Sequence, residues 1–278
     1  MHNAALTALG LDWRYVGCEV HPQHLREAIE GARHLGFVGL NLTVPHKLIA
    51  VELMDDLDAS AKEWGAVNTV VFGRRDCSGN WVPVAQGDGH GGPVLARGHN
   101  TDADAIIRSL NEDLGIEPRS ARVLLLGAGG AGRAAALRLA AEGVSVLWLV
   151  NRTRARAETL AAEIEERFPA VEVRIGYPDS GVEIVLNATS LGLKSGDELP
   201  LDPSQFSLER ADGVYDMVYR PAETPLLREA HRAGCRVSNG LGMLLYQGAA
   251  ALELWTGLPA PVEVMREALK REINGENR

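Results

Sequence analysis

Short apolar runs alternate with helical patterns along most of the chain. In the first 72 residues, apolar runs at positions 14–18 and 36–41 have the length of strands, and residues 24–32 between them have helical spacing. An order of strand, helix and strand predicts a mostly parallel sheet that is covered by helices.

The same alternation returns more strongly from residue 122 onwards. Strands are predicted at residues 123–126, 144–150, 171–175, 182–187 and 214–218, and helices at residues 103–114, 131–142 and 154–168. Two further helices are predicted at residues 241–255 and 261–272. The first of these two is apolar nearly all round, so we expect it to be buried as the element that joins two domains.

Residues 73–98 interrupt this alternation. The segment is rich in glycine and proline, with weak strand signals at positions 81–85 and 94–97, and it predicts a long hairpin or a protruding loop. His90 lies inside it. A solvated loop histidine is favoured over a metal ligand, because no second ligand stands at metal-binding spacing.

Length, charge and cysteine content narrow the class of protein. The 278 residues suffice for two domains, and the net charge of −9 argues against a broad surface for nucleic acid. No stretch approaches the roughly 18 apolar residues that a membrane-spanning helix needs, and the N-terminus does not have the pattern of a secretory signal. Cys18, Cys77 and Cys235 are scattered, which favours a reducing cytoplasm and no zinc site.

A glycine-rich loop follows the predicted strand 123–126. Its residues are Gly127, Ala128, Gly129, Gly130, Ala131 and Gly132, and a predicted helix begins within it. Gly127 permits a tight turn, Gly129 lets the backbone approach a pyrophosphate, and Gly132 allows close packing of helix on strand. This context of strand, glycine turn and helix predicts a Rossmann dinucleotide site, with the pyrophosphate at the helix N-terminus.

The end of the next predicted strand bears on the choice of cofactor. An NAD-binding protein normally has Asp or Glu there, whereas this chain has Asn151, Arg152 and Thr153, followed by Arg154 and Arg156. Arginine side chains can hold a 2′-phosphate through charge-assisted hydrogen bonds, which favours NADP. For Arg154, a solvated helix position is an equal alternative.

Three segments of the first half offer groups for proton transfer. They are NLTVPHK at residues 41–47, GAVNT at residues 65–69 and GHNTD at residues 98–102. The first follows a predicted strand, and ligands of open α/β sheets bind at the carboxyl ends of strands. Lys47 near Asp102 would form an acid–base pair, although a solvated surface lysine is the usual alternative.

Resemblance to a known family changes this weighting. The segments NLTVPHK, GAVNT and GHNTD are followed in order by GAGGAGRAA, NRT, NATSLG, YDMVY and NGLGMLLYQGA. Together they resemble the shikimate dehydrogenase family over essentially the whole chain. The resemblance implies two α/β domains: a substrate domain at residues 1–103 and 241–278, and a Rossmann NADP-binding domain at residues 104–240.

The resemblance also implies a reaction and its residues. The reaction is the reversible reduction of 3-dehydroshikimate to shikimate with NADPH, in aromatic amino acid (chorismate) biosynthesis, with Lys47 as acid/base and Asp102 as its partner in contact with the substrate. The implied substrate-binding residues are Thr43, Asn68, Tyr219 and Gln247. The implied cofactor-binding residues, beyond the glycine loop and Asn151, Arg152, Thr153 and Arg156, are Asn187, Thr189, Met217, Gly240 and Met243.

The sequence departs from the family pattern at its start. Family members begin with a strand and a serine-x-serine loop that holds the substrate carboxylate, and this sequence starts after both. We expect Met1 to be an internal methionine of a longer product; the alternative is a short protein with an impaired carboxylate site. Residues 73–98 are also longer than usual, and Ala103 stands where glycine is common.

Two other functions remain as alternatives. One is a quinate/shikimate dehydrogenase that uses NAD, against which Asn151, Arg152 and Thr153 argue. The other is a non-catalytic NADP-binding pseudoenzyme, which the absent serine loop suggests and the retention of Lys47 and Asp102 opposes. The expected partner is a small-molecule substrate, with no nucleic acid and no membrane, and a homodimer is left open.

Overall fold

A computed structural model describes residues 1–43, 45–87, 92–194 and 196–274 of the chain. His90, predicted to be a solvated loop histidine, lies outside the described residues. The chain divides into two compact units. Unit 1 comprises Met1–Asp102 and Leu245–Glu272, and unit 2 comprises Ala103–Leu244 together with the residues from Ile273 onwards.

Unit 1 is built on one sheet of five strands. The strands are β1 (Gly39–Asn41), β2 (Asp56–Leu57), β3 (Thr69–Arg75), β4 (Trp81–Pro83) and β5 (Leu95–His99). The helices are α1 (His2–Ala8), α2 (Leu25–His34), α3 (His46–Ile49) and α4 (Ala59–Trp64). Two helices near the end of the chain, here called α9 (Leu241–Thr256) and α10 (Val262–Asn274), also contribute most of their residues to this unit.

The direction of these strands differs from the prediction. The strand order is β1-β3-β5-β2, with β4 beside β3, and β3 is antiparallel to β1, β4 and β5; β2 and β5 are parallel. The predicted mostly parallel sheet is therefore wrong for this unit. For β3 and β4 the physical reason is the short turn at Asp76–Gly79, which sends the chain back along β3, because short connections join antiparallel neighbours.

The predicted strand at residues 14–18 does not form. In its place, the Asn3 side chain accepts a hydrogen bond from the Tyr15 main-chain N–H at 2.7 Å and donates to the Tyr15 carbonyl at 2.9 Å. A strand needs a neighbouring backbone as its partner, and here a side-chain amide satisfies these groups instead. The predicted strand at residues 36–41 does form, shortened to β1.

The predicted hairpin in residues 73–98 is confirmed for its described part. Strand β4 pairs with the end of β3, and β5 returns along the rest of β3. The core of this unit packs Leu25 and Ile29 of α2 against Val70 and Phe72 of β3. On the other side of β3, the Trp255 indole of α9 donates to the Val70 carbonyl at 3.0 Å and fills the space beside Gly39.

Unit 2 has a sheet in which all six strands are parallel. The strands are β6 (Arg122–Leu126), β7 (Val146–Val150), β8 (Glu172–Ile175), β9 (Val182–Asn187), β10 (Ala211–Asp216) and β11 (Arg236–Asn239), in the order β11-β10-β9-β6-β7-β8. The helices are α5 (Asp102–Ser109), continued by a π-helical turn (Leu110–Leu114), α6 (Gly130–Glu142), α7 (Arg154–Arg167) and α8 (Pro225–Arg232). The strand order reverses between β6 and β9, which is where open α/β sheets bind ligands.

The strands predicted for unit 2 all form, with shifted ends for some. The apolar runs are continuous because helices cover both faces of a parallel sheet. Leu124 and Leu126 of β6 and Val185 of β9 are fully buried in this core. Among the described residues, no helix combines the length and the apolar character that crossing a membrane requires.

Candidate active site

Lys47 and Asp102 form an ion pair in unit 1. The Lys47 Nζ atom lies 2.8 Å from Asp102 Oδ2, and the two side chains are 29% and 17% exposed. Lys47 lies in α3, shortly after β1, and Asp102 begins α5, shortly after β5. The pair is partly shielded from water yet accessible, which suits groups that exchange a proton with a ligand.

Main-chain contacts fix the segments that carry this pair. The Lys47 carbonyl accepts from the Val67 N–H at 2.9 Å, and the Asn68 N–H donates to the His99 carbonyl at 3.1 Å. The Asn100 side-chain oxygen accepts from the Asp102 N–H at 3.1 Å. Residues 67–68 therefore lie between the chain segments of the lysine and of the aspartate.

Asn68 is buried at the centre of a polar network. Its Oδ1 accepts from the Thr101 N–H at 2.8 Å, and its Nδ2 donates to Thr101 Oγ1 at 3.0 Å. A longer contact of 3.5 Å joins Nδ2 to Gln247 Oε1 of α9. The structure thus brings together Asn68, Gln247 and the residue before Asp102. Thr101 was not among the predicted site residues, although its place inside GHNTD was a usable signal.

The two other predicted substrate residues are both exposed. Thr43 is exposed, and its carbonyl accepts from the His46 N–H at 2.8 Å. Tyr219 belongs to unit 2 and is 39% exposed. Both remain predicted substrate contacts.

The glycine loop of unit 2 has the geometry expected of a phosphate loop. Gly127 has φ +104°, a left-handed conformation, and a Cβ on Gly132 would collide with the Gly127 carbonyl oxygen. On Gly129 and Gly130, in contrast, a Cβ would meet no described atom within 4 Å. These two glycines leave open space at the N-terminus of α6, which fits a dinucleotide pyrophosphate.

Asn151 holds this loop from the neighbouring strand. Its Oδ1 accepts from the Ala128 N–H at 3.0 Å, and its Nδ2 donates to the Thr153 carbonyl at 2.8 Å. Arg152 and Arg156 are exposed just beyond it. The Arg154 guanidinium instead lies 2.8 Å from the Glu158 carboxylate, which favours the solvated helix position for this residue.

Asn187 lies at the end of β9, next to the strand reversal, and is fully buried. Its Nδ2 donates to Asp216 Oδ1 at 2.9 Å, and its Oδ1 accepts from the Thr189 hydroxyl at 2.8 Å and the Thr189 N–H at 3.0 Å. The Asp216 carboxylate also accepts from Thr224 Oγ1 at 2.6 Å. Burial raises the pKa of Asp216, against the effect of these hydrogen bonds. Sequence reasoning missed Asp216 and Thr224; the signal was a carboxylate at a strand end inside YDMVY.

Met217 and Gly240 are close neighbours at the ends of β10 and β11. The Met217 N–H donates to the Asn187 carbonyl at 2.9 Å, and a Cβ on Gly240 would collide with the Met217 carbonyl. Met243 lies in the first turn of α9 and is partly buried. The predicted cofactor residues at positions 187, 189, 217 and 240 therefore cluster at the carboxyl ends of β9, β10 and β11.

Metal-ligand and cysteine geometry adds little to this site. Within the described ranges, no three His, Cys, Asp or Glu side chains are grouped so that they could hold a metal ion. The three cysteines are free thiols, with Cys18 and Cys77 exposed and Cys235 buried.

Comparison with known families and proteins gives a consistent result. Three family models match: shikimate dehydrogenase substrate binding domain at residues 1–70, shikimate/quinate 5-dehydrogenase at residues 110–189, and shikimate 5′-dehydrogenase C-terminal domain at residues 240–270. A shikimate dehydrogenase (NADP(+)) of Methanopyrus kandleri is 41% identical, over 98% of this chain and 90% of the relative. One of Geobacter metallireducens is 42% identical, over 98% of this chain and 92% of the relative.

Solved structures agree with the sequence matches. The crystal structure of shikimate 5-dehydrogenase from Thermus thermophilus, in complex with NADP(H) and shikimate, superimposes with a TM-score of 0.79. It is 35% identical and the match covers 97% of this chain and 92% of that one.

Proposed function

The chain belongs to the shikimate dehydrogenase family, and we propose that it catalyses the reversible, NADP-dependent interconversion of shikimate and 3-dehydroshikimate in aromatic amino acid (chorismate) biosynthesis. The observation that carries this proposal is the ion pair of Lys47 and Asp102, 2.8 Å apart. It lies in unit 1, whose first 70 residues match the substrate-binding domain of the family. We assign substrate binding to unit 1, apart from the predicted contact of Tyr219, and cofactor binding to unit 2; the predicted boundaries at residues 103 and 241 stay predictions.

Oxidation of shikimate removes a hydride from a ring carbon and a proton from its hydroxyl oxygen. NADP⁺, when bound, supplies the hydride acceptor. Lys47 in its neutral form accepts the hydroxyl proton, and in the reverse direction its ammonium donates a proton to the carbonyl oxygen as that oxygen becomes an alcohol. Asp102 orients the lysine side chain and compensates its positive charge.

Substrate binding is assigned to the polar network around Asn68. The 3.5 Å contact between Asn68 Nδ2 and Gln247 Oε1 is long for a hydrogen bond, so a substrate hydroxyl can replace it. Thr43 and Tyr219 complete the proposed set of substrate contacts. The two shortest side-chain hydrogen bonds of Asn68, both to Thr101, keep its amide oriented toward such a hydroxyl.

Cofactor binding is assigned to the loop Gly127–Gly132 and the ends of the neighbouring strands. The open sides of Gly129 and Gly130 at the α6 N-terminus would accept the pyrophosphate. The exposed guanidinium groups of Arg152 and Arg156 would hold the 2′-phosphate that distinguishes NADP from NAD. Asn187 and Asp216 are buried, and they would hold in place the segments after β9 and β10 that we assign to nicotinamide binding.

The test is an oxidation assay with the purified chain. Shikimate and quinate are each offered with NADP⁺ and with NAD⁺, and formation of the reduced cofactor is followed by its absorbance. We expect the highest kcat/KM for shikimate with NADP⁺, and a loss of about 10²–10⁴ in kcat for Lys47→Ala, the range of general acid–base catalysis.

The outcomes separate the alternatives. A preference for quinate and NAD⁺ would assign the chain to the quinate-using branch. Binding of NADPH without turnover of either substrate would favour a pseudoenzyme. Activity of Lys47→Ala equal to that of the wild type would overturn the proposed proton transfer.

We also propose a cytoplasmic location, because free, exposed thiols such as Cys18 and Cys77 suit a reducing compartment. For the oligomeric state we consider two alternatives, a monomer and a homodimer. Analytical ultracentrifugation decides between the two.

A further inference from the structure

His99 and Asp58 form a second pair of ionisable groups in unit 1. His99 Nδ1 lies 2.9 Å from Asp58 Oδ2, and the side chains are 11% and 27% exposed. His99 ends β5, three residues before Asp102, and Asp58 precedes α4. Among the described residues, the other ring nitrogen of His99 has no hydrogen-bond partner, so the imidazole is anchored through Asp58.

The two carboxylate oxygens of Asp58 accept hydrogen bonds from different partners. Oδ1 caps α4 by accepting from the Ala61 N–H at 2.9 Å, and it also accepts from Ser60 Oγ at 2.7 Å. Oδ2 is left for His99. Burial raises the pKa of Asp58, but the hydrogen bonds from His99, the Ala61 N–H and Ser60 outweigh it and lower the pKa to about 2. The carboxylate is therefore ionised at neutral pH, and its bond to His99 is charge-assisted.

Further hydrogen bonds continue from this pair to Asp102. The Asp58 N–H donates to the Gly98 carbonyl at 3.0 Å, and the Asn100 N–H donates to Ser60 Oγ at 2.9 Å. The Asn100 side chain donates to the Ala66 carbonyl at 3.1 Å and accepts from the Asp102 N–H. The start of α4 is thus connected, residue by residue, to the segment that presents Asp102.

We propose that His99 is a positioning residue: its hydrogen bond to Asp58 fixes residues 99–102, and thereby holds the Asp102 carboxylate against Lys47. This proposal rests on the proposed function for the role of Lys47 and Asp102. The cap of α4 uses the other oxygen of Asp58, so the bond to His99 serves the segment after β5 and not the helix. The His99 carbonyl also accepts from the Asn68 N–H, so the same anchor supports the substrate-binding amide.

Three variants distinguish the effect of losing the His99–Asp58 hydrogen bond from a general effect on folding. His99→Leu removes the donor. His99→Asn is the matched control, because the Asn amide nitrogen takes the place of Nδ1. Asp58→Ser keeps a residue that caps helices well, but its side chain is too short to reach His99 as well.

The first measurement is steady-state kinetics of shikimate oxidation with NADP⁺. We expect kcat to fall by about tenfold to a hundredfold in His99→Leu and in Asp58→Ser, as misplacement of a catalytic group does, with an unchanged KM for NADP⁺. His99→Asn should stay within about threefold of the wild type, and the double variant should lose no more than either single one, because coupled residues are not additive. Equal losses in His99→Leu and His99→Asn, or an unchanged kcat in both His99→Leu and Asp58→Ser, would overturn the proposal.

The second measurement does not depend on turnover. Hydrogen exchange of the peptide spanning residues 98–103, followed by mass spectrometry, should be faster in His99→Leu and Asp58→Ser than in the wild type and His99→Asn. An inactive wild type would refute the proposed function, while exchange would still decide whether His99 holds this segment. Unchanged exchange in both His99→Leu and Asp58→Ser would refute the role of His99 even in an active enzyme.

Discussion

The Asn187 amide donates to the Asp216 carboxylate at 2.9 Å, and both side chains are completely shielded from solvent. Thr224 Oγ1 and the Val218 N–H donate to the same carboxylate, at 2.6 Å and 3.0 Å. Asp216 therefore joins the segments that follow β9 and β10, where the predicted cofactor residues lie.

The first prediction concerns the charge of Asp216. Burial raises the pKa of Asp216 in the folded chain above its ordinary value of 3.8. The folded state therefore favours the protonated carboxyl group. This stabilisation is fully present below pH 3.8 and is lost as the pH rises through the pKa of the folded state. Asp216→Asn removes this loss. Its side-chain oxygen can still accept from Asn187 Nδ2 and the Val218 N–H, and its amide nitrogen can donate to Thr224 Oγ1, which reverses the direction of that hydrogen bond. We expect its free energy of unfolding in urea at pH 7 to equal or exceed that of the wild type. Asp216→Ala leaves buried donors unsatisfied and should lower it by about 1–3 kcal/mol.

The comparison of the two variants decides this prediction. If Asp216→Asn were as unstable as Asp216→Ala, the ionised carboxylate itself would be required. NADPH titration of both variants then shows whether the network also supports cofactor affinity.

Much of unit 2 could be predicted from the sequence, because continuous apolar runs such as residues 123–126 are typical of strands buried on both faces. Unit 1 was harder. The pattern of apolar and polar residues in unit 1 does not indicate strand direction. The prediction of a strand at residues 14–18 was wrong because the Asn3 side chain, and not a neighbouring strand, pairs with the Tyr15 main chain. Helix α8 was missed although Thr224, which caps it, and Pro225 are ordinary helix-start signals.

In the candidate site too, the sequence predicts some residues but not the contacts that hold them. The family motifs contain Lys47 and Asp102, and the structure places them in contact. The bond between Asp58 and His99 joins residues distant in sequence from different elements, so no local pattern could indicate it. Asn187 was predicted as a cofactor residue from its motif, but its complete burial against Asp216 depends on two neighbouring strands.

A second prediction separates two glycines of the phosphate loop. A methyl group on Gly132 would collide with the Gly127 carbonyl, so Gly132→Ala should lower the free energy of unfolding by at least about 1–3 kcal/mol. Gly129 has φ −83° and open space around it, so Gly129→Ala should fold with unchanged stability. Its methyl group would occupy the space proposed for the pyrophosphate, and NADPH affinity should fall.

Urea denaturation and NADPH fluorescence titration test this pair together. A Gly132→Ala variant of wild-type stability would contradict the packing argument. A Gly129→Ala variant that binds NADPH normally would place the pyrophosphate elsewhere.

A third prediction concerns cofactor choice. Arg152→Ala should lower kcat/KM for NADP⁺ by about tenfold to a hundredfold, which corresponds to the loss of a charged hydrogen bond, and should leave kcat/KM for NAD⁺ unchanged. The matched control is Arg154→Ala, because the Arg154 guanidinium already pairs with Glu158. Equal losses with both cofactors in Arg152→Ala would show that this arginine does not recognise the 2′-phosphate.

The last prediction concerns acid stability and His2. Burial lowers the pKa of His2 to about 4 from its ordinary 6.5, and its Nε2 lies 3.1 Å from the Gly248 carbonyl. Between these two values the unfolded chain binds the proton and the folded chain does not. The contribution of neutral His2 to stability is therefore fully present above pH 6.5 and is lost as the pH falls toward 4.

His2→Gln isolates this effect, because its amide nitrogen can still donate to the Gly248 carbonyl but does not titrate. From pH 7 to pH 4.5, we expect the wild type to lose about 2 kcal/mol more unfolding free energy than His2→Gln, as measured in urea. His34→Gln, at an exposed position of α2, is the control and should keep the wild-type pH dependence. If His2→Gln lost stability with falling pH as steeply as the wild type, then protonation of His2 would not be what destabilises the folded protein in acid.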